Sequence, residues 1–172
     1  ELTLKISGGY TMNDRRQEVF NGSQTYTGYE GSPSGKGING YIYWYRQRSW
    51  LNDYVLNYNK PSDRKHHLQL TGIFSLSGQN YDFGGTLSQQ MTTESLGLQG
   101  MHTGKYQVVT PFKYDWTLLS GAARLNYNYR YKYYATASFR VDASSKFPKA
   151  NRVGYFPSAS LAWNFNREDY LK

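Results

Sequence analysis

Few residues in this sequence have the types and spacing that chemistry requires. Gly35-Lys36-Gly37-Ile38-Asn39-Gly40 fits the pattern G-x-G-x-x-G. A dinucleotide site needs a strand leading in and a helix following; neither is predicted, so these are loop glycines. Gly31 to Gly37 lacks both the phosphate-loop spacing and a hydroxyl residue after Lys36. His66 and His67 are adjacent, so on a strand they face opposite ways and do not converge on one ion; His102 is the third imidazole. Asp142, Glu168 and Asp169 have no convergent partner, and no nucleophile motif accompanies the histidines. Cysteine is absent, which removes thiol, disulfide and zinc-ribbon chemistry. No catalytic residue, cofactor or metal is predicted, and the sequence does not read as an enzyme.

The polar residues with more to say are Arg124, Asn126, Asn128, Arg140 and Asp142, because of what lies between them. Leu119, Gly121, Ala123, Leu125, Tyr127 and Tyr129 alternate with Ser120, Ala122, Arg124, Asn126 and Asn128. Tyr133, Ala135, Ala137, Phe139 and Val141 alternate with Tyr134, Thr136, Ser138, Arg140 and Asp142. Ala159, Leu161, Trp163 and Phe165 do so with Ser158, Ser160, Ala162, Asn164 and Asn166. Side chains on a strand point alternately to opposite faces, so each stretch is predicted as a two-faced strand. Such alternation fits a barrel wall with hydrocarbon on one side and water on the other. A charge facing hydrocarbon near the midplane would cost about 2–4 kcal/mol, so the five polar residues are expected to face the lumen. There they would touch a plug or a passing solute, or form a structural Arg–carboxylate network that holds the wall.

Further strands precede these. Leu2, Leu4, Ile6, Gly8, Tyr10 and Met12 form one alternating series. Tyr54, Leu56 and Tyr58 form another, and Leu68, Leu70, Gly72, Phe74 and Leu76 a third. Long loops are expected at 13–40, 79–114 and 142–154, and short turns at 60–65 and 130–131. Ile38 to Tyr45 is aromatic-dense and reads as an extended β-finger; 93–100 reads as a short helical turn inside the second loop. Long loops on one side and short turns on the other give an antiparallel up-and-down transmembrane β-barrel segment of about six strands. Closed barrels need roughly eight strands or more, so both edges should pair with further polypeptide of a larger barrel. Trp44, Tyr45, Trp50, Tyr106 and Trp116 are expected in extracellular loops or at strand ends, as interface anchors or as faces for a sugar to stack on. Asn21-Gly22-Ser23 marks an exposed loop.

Composition bounds the same picture. The chain has 172 residues, 38% of them hydrophobic, with 18 Tyr and 4 Trp. Its mean hydropathy of −0.75 would be low for a globular core, yet in a barrel only every second strand residue needs to be apolar. No run of eighteen apolar residues exists, which excludes a transmembrane helix but not a barrel. The net charge is +8. Lys and Arg are scattered over turns and loops with no nucleic-acid motif, so anionic outer-leaflet lipid or plain solvation accounts for them better. Glu1 opens directly into an alternating series without a leader pattern, and Glu168 begins a new polar segment, as in an internal stretch of a longer protein.

One family resemblance is specific. RLNYNYRYKYYATASFR (124–140) followed by DASSKFPKANRVGYFPSASLAW (142–163) resembles the late barrel region of SusC/RagA-type TonB-dependent outer-membrane transporters. The pieces Asp-x-Ser-Ser-x-Phe and Gly-Tyr-Phe-Pro-Ser occur in order, and 54–77 resembles an earlier hairpin of that barrel. Ala143 stands where the family usually has glycine. The resemblance implies residues 1–172 as one stretch of a plugged barrel, the plug lying elsewhere in the protein. It implies an active importer of large nutrients, glycan or peptide, with a SusD-like surface lipoprotein outside and the TonB system inside. Two other readings share the alternation: a passive porin wall without a plug, and a soluble β-sandwich carbohydrate-binding module. The sandwich would bury the apolar series, including Leu125, Phe139 and Leu161, in a compact core.

Overall fold

The computed structural model describes residues 1–61 and 65–168. Seven strands are present: β1 (Leu2–Asn21), β2 (Asn39–Asn59), β3 (His66–Gln89), β4 (Tyr106–Val109), β5 (Phe112–Tyr129), β6 (Tyr133–Ser144) and β7 (Val153–Trp163). They form one sheet in the order β1-β2-β3-β5-β6-β7, with β4 also paired to β3. β4 and β5 follow a single course along β3. Thr86 lies opposite Val109, and the Thr110 N–H still donates to the Gly85 carbonyl at 3.0 Å. Pro111 then has no N–H to give, so the ladder is interrupted there until Phe112. Six courses result, in sequence order, as the alternation predicts. A second sheet to close a sandwich is absent among the described residues.

The strands are longer than the apolar series that announced them. β1 continues to Asn21 where a loop was expected from Asn13; β3 continues to Gln89 rather than ending near Ser77; β5 begins at Phe112 rather than Leu119. A tilted strand crosses a bilayer in about 9–11 residues, whereas β3 has 24. Beyond the apolar stretch β1 turns polar on both faces, whereas in β3 and β5 the apolar residues change face. Tyr81, Phe83 and Leu87, and Phe112, Tyr114 and Trp116, lie on the series opposite Phe74 and Leu119, so no single series can be followed along the whole strand. The connections shrink accordingly to 22–38, 90–105 and 145–152. The short helical turn lies at Gly97–Thr103, somewhat later than expected, and Phe165 belongs to a 3-10 turn, Phe165–Arg167, rather than to the last strand. Part of the turn expected at 60–65 lies outside the described residues, as does Asp169.

The chain divides into two compact units. The first comprises 1–10, 49–79 and 116–172. In it Leu119 faces Ala143 and Leu125 faces Ala137 across β5 and β6, while Ala137 faces Ala159 and Ala135 faces Leu161 across β6 and β7. Apolar residues thus meet apolar ones on one face of β5, β6 and β7, from Leu119 to Trp163. Leu125, Phe139 and Leu161 are 37%, 47% and 86% exposed, the opposite of a sandwich core. At the β5–β6 turn, Arg130 and Tyr131 both have positive φ (52° and 54°), and the Lys132 N–H donates to the Tyr129 carbonyl at 2.9 Å. That is the backbone sense of a primed hairpin turn, usually reserved for Asn and Gly. Asn128 helps to hold it, its Oδ1 accepting from the Tyr131 N–H at 3.1 Å.

Beside this turn, Tyr129, Tyr133 and Trp163 stack in sequence, with ring centroids 6.5 and 6.4 Å apart. Glu168 folds back on the stack and is buried. It pairs with Lys132 and accepts from the Trp163 indole at 2.9 Å and the Tyr133 hydroxyl at 3.0 Å. The second unit comprises 11–48 and 80–115. It holds the buried hydrophobic side chains of the described residues, Met91 and Met101.

The Glu168 contacts make a pH prediction. Hydrogen bonding to Lys132, then to Trp163 and Tyr133, lowers the Glu168 carboxyl below its ordinary 4.5; the hydrogen bond to Glu168 raises Lys132 above 10.5. A lowered acid stabilises the fold above its unfolded value and loses that effect as pH falls through its folded value; a raised base acts below its unfolded value and fails as pH rises through its folded one. The hairpin end should therefore hold from about pH 5 to pH 10 and loosen below pH 4.5. Trp163 fluorescence in a variant of the receptor whose other tryptophans are replaced would report it, and Glu168→Gln should flatten the acid limb.

Candidate functional site

The polar face of the first unit carries the residues singled out by sequence. Registers Ser120↔Asp142, Ala122↔Arg140, Arg124↔Ser138, Asn126↔Thr136 and Asn128↔Tyr134 put all five candidates, Arg124, Asn126, Asn128, Arg140 and Asp142, on that one face. They form separate groups rather than one site. Arg140 donates through Nε to both carboxylate oxygens of Asp142 at 2.9 Å, and its Nη2 reaches the Ser120 hydroxyl at 3.5 Å. Arg124 Nε and the Thr136 hydroxyl both donate to Asn126 Oδ1 at 3.1 Å, while Asn126 Nδ2 reaches Gln69 Oε1 at 3.4 Å. Asn128 accepts the Tyr131 N–H of the hairpin turn through Oδ1.

A concavity of about 310 Å³ opens on this face. Lys5, Asp53, Ser75, Ser120 and Arg140 are among its lining residues, with the Ser75 hydroxyl donating to Asp53. Lys5, Asp53 and Ser75 were not among the candidates, although Lys5 and Ser75 lie in the polar series of their strands. Each sits two residues from a neighbour of the same face, which is the signal that would have found it. Arg140 and Asp142 are part-exposed, with side chains 54% and 24% accessible, so this wall is wet. The arrangement can hold polar groups in place. It brings no acid–base pair or nucleophile together.

In the second unit two of the aromatic candidates lie within a strand and the third at a strand end. Trp44 and Tyr45 belong to β2. Tyr45 packs against Phe83 with centroids 4.8 Å apart, and Arg15 sits 5.8 Å above it. The Trp44 indole lies over Gly84, where a Cβ would come within 2.4 Å of Cζ2. Tyr106 opens β4, half-exposed, with Lys105 over its ring at 5.5 Å. Trp50 on β2 and Trp116 on β5 belong to the first unit: Trp50 covers Gly78, and Lys146 sits 4.2 Å above Trp116. Aromatic rings favour strands, and Trp44 and Trp50 cover cross-strand glycines there.

The loops 22–38 and 90–105 of the second unit are tied to each other. Gln90 N–H donates to the Lys36 carbonyl at 2.8 Å, and Met91 N–H to that of Ile38 at 3.0 Å. Buried Asn39 donates to the carbonyls of Thr27 and Gly37 and accepts from Asn21 at 2.9 Å. Ser88, fully buried, donates to the Met101 carbonyl at 2.7 Å. The Ser23 N–H donates to Glu94 at 2.6 Å, which holds that carboxyl below its ordinary range. A concavity of about 660 Å³ opens here, with Ser23, Tyr29, Glu30, Ser32, Gln90 and Met91 among its lining residues. Gly35 and Gly37 sit in it with φ of 64° and 55°, as loop glycines.

Comparison with known proteins decides the family. A TonB-dependent receptor of Formosa agariphila is 32% identical over 124 residues, covering 71% of this chain and 12% of that receptor. The SusC receptor of Bacteroides thetaiotaomicron is 40% identical over 74 residues, covering 43% of this chain and 7% of SusC. No family model matches. Among solved structures, the RagAB peptide transporter superposes with a TM-score of 0.80 at 22% identity, covering 97% of this chain and 18% of that one. The chain belongs to the SusC-like TonB-dependent receptors. It is a β-barrel segment and spans between 7% and 16% of the length of the curated receptors it matches.

The receptor's polar wall yields a test of its wetness. Exposed ion pairs contribute about 0.2–1 kcal/mol, so a double-mutant cycle on Arg140→Met and Asp142→Asn, read by urea unfolding in micelles, should give a coupling in that range. A coupling above about 3 kcal/mol would mean a dry, buried pair instead.

Proposed function

We propose that this chain supplies wall and outer loops to an active outer-membrane importer of large nutrients. In this reading the apolar face meets hydrocarbon and the polar face borders an enclosed lumen with its plug. The tied loops meet the solute outside, beneath a SusD-like lipoprotein, and TonB supplies energy from within. The observation that carries it is the register of β5, β6 and β7, which keeps apolar residues on one exposed face and Arg124, Arg140 and Asp142 on the other. A lone sheet covered on neither face cannot bury enough surface to be stable in water. Hydrocarbon on one side and plug on the other would cover both. The names of the relatives support an importer. Glycan and peptide remain equal as the substrate class, since either fits a polar concavity edged by Tyr29 and Glu30.

Two measurements test this. The chain has no cysteine, so single cysteines at 135 to 140 of the full-length receptor are unique reporters in this stretch. Spin labels at 135, 137 and 139 should be relaxed by oxygen, and those at 136, 138 and 140 by a water-soluble nickel chelate. Labelled glycan or peptide uptake should then stop when TonB is deleted. Uptake that continues without TonB would leave a passive porin.

A further inference from the structure

In the second unit, Arg46 and Arg48 of β2, Asn80 and Asp82 of β3, and Lys113 of β5 line a shallow concavity of about 260 Å³. It is smaller than the 300–1,000 Å³ of a site for a drug-sized molecule. Three cations and one carboxylate leave it a net positive charge. Among the described residues the ion pairs are Arg16–Glu18, Lys132–Glu168 and Arg140–Asp142. None involves a residue of this cluster, so its cations hold no carboxylate. Arg46 and Arg48, two apart on one strand, point to the same face and repel each other. An anion seated between them would relieve that repulsion. Two guanidinium forks, an ammonium and an amide make a donor-rich cradle suited to a tetrahedral oxyanion.

The sequence of the strands says which anion. On β2 the series sharing the face of Arg46 and Arg48 reads Tyr58, Leu56, Tyr54, Asn52, Trp50, Arg48, Arg46, Trp44. On β3 it reads Leu68, Leu70, Gly72, Phe74, Leu76, Gly78, Asn80, Asp82. On β5, Leu125, Ala123, Gly121 and Leu119 lead to Thr117, Asp115 and Lys113. Each series is apolar first and polar or charged afterwards, and on β2 Trp50 stands at the change. Tryptophan prefers the membrane–water interface, and cations beyond it stand at the level of lipid headgroups. Trp44, 37% exposed, offers an indole face beside the cations for a sugar ring.

We propose that Arg46, Arg48 and Lys113 form a binding site for the phosphate of a phosphorylated glycolipid in the outer leaflet. The proposal rests on the hydrocarbon-facing assignment above and adds a bound lipid to it. Asp82 repels the phosphate and keeps the site from being a general anion trap.

The test uses the full-length receptor in micelles, with native mass spectrometry to count retained lipid. Bisphosphorylated lipid A and its dephosphorylated form are the probes. Wild type should retain the phosphorylated form at least about tenfold better than the Arg46→Gln/Arg48→Gln/Lys113→Gln variant, as expected when charge-assisted hydrogen bonds are lost. The dephosphorylated form should not distinguish the two proteins. Asp82→Asn, which keeps every cation, should raise retention and guards against a triple variant that misfolds. Equal retention by wild type and variant overturns the proposal, as does lower retention in Asp82→Asn. Displacement of the lipid by inorganic phosphate at equal concentration overturns it too, because the site would then serve a free solute. An unchanged spin-label pattern alongside equal retention removes this inference alone; a pattern without alternation removes the barrel assignment beneath it.

Discussion

Backbone hydrogen bonds hold Leu119 opposite Ala143 and Ala143 opposite Val153, and the two faces of the wall follow from that register. A slip by one residue between two strands would bring Arg140 onto the apolar face and Phe139 onto the polar one. Side-chain packing contributes little to preventing such a slip here, because the first unit has no conventional core. The register depends instead on the turns: the left-handed pair Arg130–Tyr131, the Asn128 side chain, and the stacked Tyr129, Tyr133 and Trp163 with Glu168 against them.

The second unit is organised by other means. Its two buried methionines, the fully buried Ser88 and the doubly donating Asn39 sit where the loops 22–38 and 90–105 meet. Both polar atoms of the Asn39 side chain have partners, which is what its burial demands. The aromatic rings there lie on glycines: Gly84 beneath Trp44, and Gly85 beneath Tyr43, where a Cβ would come within 1.9 Å of the ring. These glycines exist for the space they leave. A side chain at either position would push a rigid ring off the sheet.

Much of this was legible in the residues. The alternation from Leu119 to Trp163 fixed both the strands and the partition of their faces, since apolar and polar halves differ sharply there. The placing of Arg124, Arg140 and Asp142 on one face came from the same contrast. The extents of β1 and β3 were not legible. Past Met12 both faces of β1 turn polar, and past Ser77 the apolar residues of β3, Tyr81, Phe83 and Leu87, fall on the opposite series, so the pattern breaks while the strand goes on. Asn128 lies on the wall face as its place in the series indicates, but its hydrogen bond to the Tyr131 N–H in the turn is not marked by that series. The ties between the two loops join residues far apart, such as Ser23 and Glu94, and nothing local marks them.

The tied loops have a consequence for how a solute would be met. Segments that must order themselves around a guest lose entropy at that moment and bind more weakly for it. Here Lys36 and Gln90, Ile38 and Met91, Thr27 and Asn39 are joined before any guest arrives. If these loops meet the solute as proposed, the rim would act as a mould, not a glove, and a receptor of this build would change its diet by exchanging both loops together.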